Sequence, residues 1–219
     1  LPYDPQRDFA PVSVIAAAPQ LIVVNPALPV KSVKDLISLA KSKPGAINYG
    51  SSGIGTLPHL GGEMFLTVTG AKITQVPYKG SPPALLDLIA GQVQVVFADM
   101  PVALPHVKSG KLRAVAVAGA KPFPLTSGIP TAIEAGLPGF ALDNWWGLLT
   151  MKGVPQKIIS KVNVEIVRAL KQPDVIERYT ALGIESVTST PQEFANIIKS
   201  DLTKYLQVIK DAGIKVEVN

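Results

Sequence analysis

Ile47-Asn48-Tyr49, then Gly50-Ser51-Ser52-Gly53-Ile54-Gly55-Thr56, then the run from Leu57 to Thr69 read as a short strand, a turn of small residues and a helix. Upstream, Leu21-Ile22-Val23-Val24 reads as a buried strand. Ser32-Val33-Lys34-Asp35 has the pattern of a capping box, with Ser32 as N-cap of a helix whose apolar face is Val33, Leu36, Ile37 and Ala40. Downstream the unit recurs. Ile73-Thr74-Gln75-Val76 is a strand, Pro77-Tyr78-Lys79-Gly80 a turn, and Ser81-Pro82-Pro83 a helix start with Ser81 expected as N-cap. Val93 to Phe97 is the next strand, Asp99-Met100-Pro101 opens a helix reaching about Lys108, and Leu112 to Val117 is a further strand. Strands and helices alternating at this spacing predict βαβ units and a parallel sheet, hence an α/β fold.

Beyond Lys121 the pattern changes. Pro122, Pro124, Pro130 and Pro138 make 121–139 the expected crossing between lobes. A strand holding Trp145 and Trp146 follows; side chains alternate across a strand, so one ring is expected toward the core and the other outward. The remainder reads as helical, at Ile158–Leu170, near Val175–Leu182 and at Pro191–Ala212, the last opened by a second capping box, Thr190-Pro191-Gln192-Glu193.

Ligands in open α/β sheets bind beyond the carboxyl ends of parallel strands. Three such ends are expected on one edge, at Gly50–Thr56, Tyr78–Ser81 and Asp99–Pro101. Gly53 and Gly55 let the backbone approach a ligand, Ser51, Ser52 and Thr56 bring hydroxyls, and the unpaired N–H groups of the first helical turn favour an anion. Ser81 and the cation Lys79 add to this, which suits a carboxylate. Asp99 either accepts a hydrogen bond from a ligand or caps the next helix.

Composition narrows the function. Among 219 residues 47% are hydrophobic, there is no cysteine, and the histidines are His59 and His106. Disulfide scaffolds, cysteine-ligated metals and thiol catalysis are excluded, and no metal site or cofactor is expected. The net charge of +5 is spread along the chain and aromatics make up 6%, so no nucleic-acid partner is expected. No apolar run is long enough for membrane insertion. Gly50-Ser51-Ser52-Gly53-Ile54 starts like a nucleophile elbow but has isoleucine where glycine is required, and Gly53-Ile54-Gly55-Thr56-Leu57-Pro58 ends a dinucleotide fingerprint in proline. His59 and Glu63 share a helix face, as a hydrogen-bonded pair.

These residues resemble a family. Gly50-Ser51-Ser52-Gly53-Ile54-Gly55-Thr56-Leu57-Pro58-His59-Leu60 with Glu63 and Phe65 looks like the first signature of the Bug, or TctC-like, receptors. Val76-Pro77-Tyr78-Lys79-Gly80 with Pro83-Ala84-Leu85 and Asp87-Leu88 is similar to the second. Tyr3-Asp4-Pro5 with Asp8-Phe9-Ala10-Pro11-Val12, Gly110-Lys111-Leu112-Arg113-Ala114, Pro130-Thr131, Glu134-Ala135-Gly136 and Trp146-Gly147 also match, so the resemblance covers nearly the whole chain.

The resemblance implies a two-lobed periplasmic-binding-protein type II fold (Venus flytrap). It implies a non-enzymatic, periplasmic solute-binding receptor that captures a small organic acid, a mono-, di- or tricarboxylate, between its lobes and delivers it to membrane subunits of a tripartite tricarboxylate transporter. Carried onto this chain, the ligand-binding residues are Ser51, Ser52, Gly53, Gly55, Thr56, His59, Tyr78, Lys79, Gly80 and Ser81, with the Asp99 region added. Residues 9–119 are expected as a complete lobe, 120–140 as the crossover, and 1–8 with 141–219 as part of the other lobe. Family members begin with a further strand and helix carrying a Pro-Gly-Gly-type loop, so the N-terminal part of that other lobe is expected to be absent from this chain. Two alternatives stand beside this reading: a cytosolic ligand-sensing domain of a transcription regulator, and a hydrolase using Ser52.

Overall fold

Local chemistry sets the bounds of the elements seen in a computed structural model, which describes residues 3–214. Helix α1 (Val33–Ser42) starts at Ser32, whose Oγ accepts the Asp35 N–H at 3.1 Å. The Asp35 carboxylate reaches back to the N–H of Lys31 at 2.9 Å, one residue beyond the expected box. Strand β2 (Ile47–Ser51) leads into α2 (Leu57–Thr69), and β3 (Ile73–Pro77) into α3 (Ser81–Ala90). Strand β4 (Val95–Asp99) leads directly into α4 (Met100–Lys108), and β5 (Arg113–Ala118) follows. The N-cap of α3 is Gly80, not Ser81 as expected. Ser81 is instead the first residue of the helix, and its hydroxyl donates to a carboxylate outside its own turn.

The strand order is β3-β2-β4-β1-β5, with β1 spanning Phe9–Val24; β6 (Asp143–Met151) pairs with β1 off this path. Strand β2 is parallel to both β3 and β4. Strand β1 departs from the expected parallel sheet, running antiparallel to β4 and β5. A fully buried strand is apolar on both faces whichever way it runs, so Leu21–Val24 carries no signal of direction. The strand is also much longer than its apolar run, because backbone pairing continues past Pro19 and Ser13, where the hydrophobic pattern breaks.

Two compact units are formed. One holds residues 18–144 and 208–214, the other residues 3–17 and 145–207. In the first, Leu21–Val24 and Val95–Ala98 are buried. Rings of Tyr49, Phe65 and Phe140 surround Phe97 with centroids 5.8–5.9 Å away. Residues 120–140, expected as a crossover, pack within this unit: Phe123, Ala132, Leu137 and Phe140 are buried, and the Ala132 N–H donates to the Val117 carbonyl at 2.7 Å.

The other unit takes the first part of β1, most of β6, α5 (Gln156–Leu170), α6 (Pro173–Ala181) and all but the end of α7 (Pro191–Asp211). Thr190 and Glu193 form the expected capping box at the start of α7. The Trp145 indole N–H donates to Asp201 at 2.6 Å and its ring meets the buried Phe194 edge-on, while Trp146 is 37% exposed. Among the described residues no helix is long and apolar enough to cross a membrane.

Candidate functional site

Pairing of Ser51 with Pro77 and of Gly50 with Val96 brings the carboxyl ends of β2, β3 and β4 out side by side on one edge of the sheet. Each strand runs into a helix: α2 with N-cap Thr56, α3 with N-cap Gly80, and α4 with N-cap Asp99. None of the three caps makes a side-chain hydrogen bond to its helix. Orphan amides of three first turns thus collect at one edge, thinned by Pro58, Pro82, Pro83 and Pro101. Their partial positive charge favours an anion.

The first turn depends on glycine twice: Gly53 has φ +123° and Gly55 φ +78°, a region side chains disfavour. The Thr56 hydroxyl donates to the Gly53 carbonyl at 2.7 Å. Ser51 is fully buried, and its Oγ accepts from Gln75 Nε2 at 2.8 Å and from the Gly53 N–H at 3.4 Å. Its role is to shape the turn from beneath. His59, 5% exposed, accepts the Gly55 N–H on Nδ1 at 3.0 Å. Its proton therefore sits on Nε2, 3.6 Å from Glu63 Oε1, which also accepts the Tyr49 hydroxyl at 2.7 Å. Burial raises the Tyr49 phenol well above its ordinary pKa, and the Glu63 carboxylate adds to this.

Burial holds the His59 pKa below its ordinary value, with Glu63 opposing weakly. The unfolded chain then binds more protons than the folded one as pH falls below about 6.5, so stability contributed by neutral His59 is lost on acidification. Between about pH 7.5 and about pH 5.5 the protein should therefore lose stability through this group. His59→Gln keeps an acceptor for Gly55 and removes the titration, so its urea-unfolding free energy should show a correspondingly smaller drop. Identical pH profiles for the two proteins would refute this.

In the second turn the Tyr78 N–H donates to the Ser51 carbonyl at 2.9 Å, and its ring lies against Gly50. The Tyr78 hydroxyl donates to Asp87 at 2.7 Å; burial, and then that carboxylate, push its pKa up to about 12. Tyr78 braces the turn against α3, with its hydroxyl committed. Lys79 is exposed and enters none of the hydrogen bonds or ion pairs found among the described residues. Gly80 has φ +111°.

The third end joins the other two. Ser81 Oγ donates to Asp99 Oδ2 at 2.5 Å, and Ser52 Oγ lies 2.7 Å from Ser81 Oγ. A hydroxyl carries one proton, and that of Ser81 is on Asp99, so Ser52 donates to Ser81. Gln20 Nε2 donates to Asp99 Oδ1 at 2.6 Å. The result is a directed chain, Ser52 to Ser81 to Asp99, closed from the other side by Gln20. Of the two readings of Asp99, capping fails: its carboxylate serves Ser81 and Gln20 while its backbone starts α4.

The edge therefore gathers Ser52, Gly53, Gly55, Thr56, Lys79, Gly80, Ser81 and Asp99 from three turns, with Ser51, His59 and Tyr78 as the supports beneath them. Among the described residues Ser52 meets no general base: its partner is another serine, and both nitrogens of His59 are turned to Gly55 and Glu63. Sequence reasoning missed Gln20, Gln75 and Asp87. For Gln20 a signal existed, a single amide within the otherwise apolar run from Val14 to Val24.

The sequence profile of the tripartite tricarboxylate transporter family receptor matches residues 1–214. The protein BugT of Bordetella pertussis is 34% identical over 217 residues, covering 99% of this chain and 67% of its own. Among solved structures, Rpa4515 of R. palustris with adipate is 38% identical with a TM-score of 0.88, over 97% of this chain and 71% of that one. MatC from Rhodopseudomonas palustris with bound malate is 30% identical with a TM-score of 0.83, over 94% and 71%. The chain spans about two thirds of the length of these relatives. Such likeness makes the fold the two-lobed periplasmic-binding type. The relatives are solute receptors, not enzymes, which sets aside the hydrolase reading.

Proposed function

Because this chain belongs to the tripartite tricarboxylate transporter receptor family, we propose that it is a periplasmic receptor that captures a small organic acid and hands it to the membrane subunits of such a transporter. One observation carries the reading: three parallel strands finish side by side, and each enters a helix whose N-terminus no side chain caps. A ligand carboxylate rests against the turn from Gly53 to Thr56, on the amides of the first turns of α2 and α3, which no side chain caps. Lys79 adds a mobile positive charge at the rim. Ser52, Ser81 and Asp99 form the polar corner beside it. The bound acids of the two solved relatives, adipate and malate, support a dicarboxylate of modest size. No bond is made or broken; capture by the two-lobed fold presents the loaded receptor to its transporter.

Titration calorimetry with acetate, succinate, adipate and citrate tests the reading. Saturable heat with at least one of these carboxylates, matched by a rise in melting temperature, is expected. Absence of both with all four acids would overturn it. Lys79→Ala should weaken binding about threefold at low salt, as befits an exposed charge, and flatten the salt dependence of affinity. An unchanged slope would place Lys79 outside the ligand's field.

A further inference from the structure

Gln20 is fully buried on β1, paired in register with Asp99 on one side and Ala118 on the other. Its Nε2 donates to Asp99 Oδ1 at 2.6 Å, which fixes the amide's orientation, since turning it over would set two acceptors against each other. Its Oε1 is thereby held beside the carboxylate, buried and accepting no hydrogen bond. A carbonyl left so is destabilising, a penalty that a methionine of similar length would remove, though with it the donor to Asp99. We infer that Gln20 is a specificity-determining residue whose Oε1 accepts a hydrogen bond from a hydroxyl of the bound acid, so that the receptor selects a hydroxy acid over its unsubstituted counterpart.

The neighbouring groups agree. The Ser81 proton is on Asp99 and that of Ser52 is on Ser81, so this corner carries acceptors: the Ser52 oxygen, the Asp99 carboxylate and, buried beside that carboxylate, Gln20 Oε1. The helix starts beside it present donors. A ligand complementary to both carries a carboxylate and, close to it, one hydrogen-bond donor. A methylene at that point leaves the acceptors as they were, whereas a hydroxyl brings the missing proton.

This inference rests on the proposed capture of an organic acid at this edge, and L-malate and succinate, which differ by one hydroxyl, separate the two. In calorimetry the protein should bind L-malate at least about tenfold more tightly than succinate, the direction expected when a site is built to bond a hydroxyl. Gln20→Met should reduce malate affinity by about tenfold and leave succinate within about twofold; loss of the bond to Asp99 offsets relief of the buried carbonyl, so the melting temperature is expected to change little. Equal affinity of the unsubstituted protein for both acids overturns the inference and leaves carboxylate capture standing. Equal weakening of both acids in Gln20→Met assigns Gln20 a merely structural role and also overturns it. Binding of neither acid overturns the inference as stated. Should the methionine variant not fold, Gln20→Asn, whose shorter amide cannot serve Asp99 and a ligand together, is expected to show the same loss of preference; a retained preference counts against the assignment.

Discussion

Gly62→Ala is expected to destabilise the protein by about 3 kcal/mol, at the upper end for an overpacked core. A methyl group there would lie 2.2 Å from Tyr49 Cε2 and 2.3 Å from Cζ. The ring has nowhere to go. Its hydroxyl is tied to Glu63 at 2.7 Å, and its edge meets Phe97 with centroids 5.9 Å apart. Alanine is the better helix former by about 1 kcal/mol, so the clash must outweigh an intrinsic gain. Urea unfolding should show the loss in the transition midpoint. Combining Gly62→Ala with Tyr49→Leu should then cost at least about 1 kcal/mol less than the two single changes added together, because both act on one contact. A single-site effect below about 1 kcal/mol would mean that α2 can lift off the sheet, and the packing described for it would be wrong.

Phe97→Ala should cost about 3–5 kcal/mol, the range for a fully buried phenylalanine whose site cannot collapse. Phe97 is 0% exposed and touches three aromatic rings, from β2, from α2 and from the segment after β5. It also lies under Gly61, where its Cβ would be 3.1 Å from an added methyl, so α2 rests on it directly. Calorimetric melting would read the loss. A cost below about 2 kcal/mol would show that neighbouring rings refill the space. The consequence reaches the site, because Phe97 sits two residues before Asp99 on the same strand. Loosening it should also weaken organic-acid binding at temperatures where the variant is still folded.

Much of the edge was legible in the sequence because it is built from local signals. Gly53, Gly55 and Gly80 mark turns, prolines mark first helical turns, and short apolar runs mark the parallel strands that bring the turns together. What those residues do was less legible. Ser51 and His59 have the residue types of ligand contacts, yet Ser51 is locked by Gln75 and His59 by Gly55. Ser81 has the position of a helix cap, yet Gly80 is the cap and the Ser81 hydroxyl donates to Asp99, a carboxylate from another strand.

Periodicity, glycine and proline placement, and the family signatures by themselves determined the kind and order of the elements, the α/β class and the three turns at the carboxyl ends of the parallel strands. Those signals act within a few residues, so they survive in a linear reading. The antiparallel course of β1, the membership of residues 120–140 in one compact unit, and the meeting of Gln20 with Asp99 across 79 positions were decided only in three dimensions. Strand direction and the partner of a buried amide depend on which distant segments come to lie side by side, and that is fixed by packing of the whole chain rather than by any stretch of it.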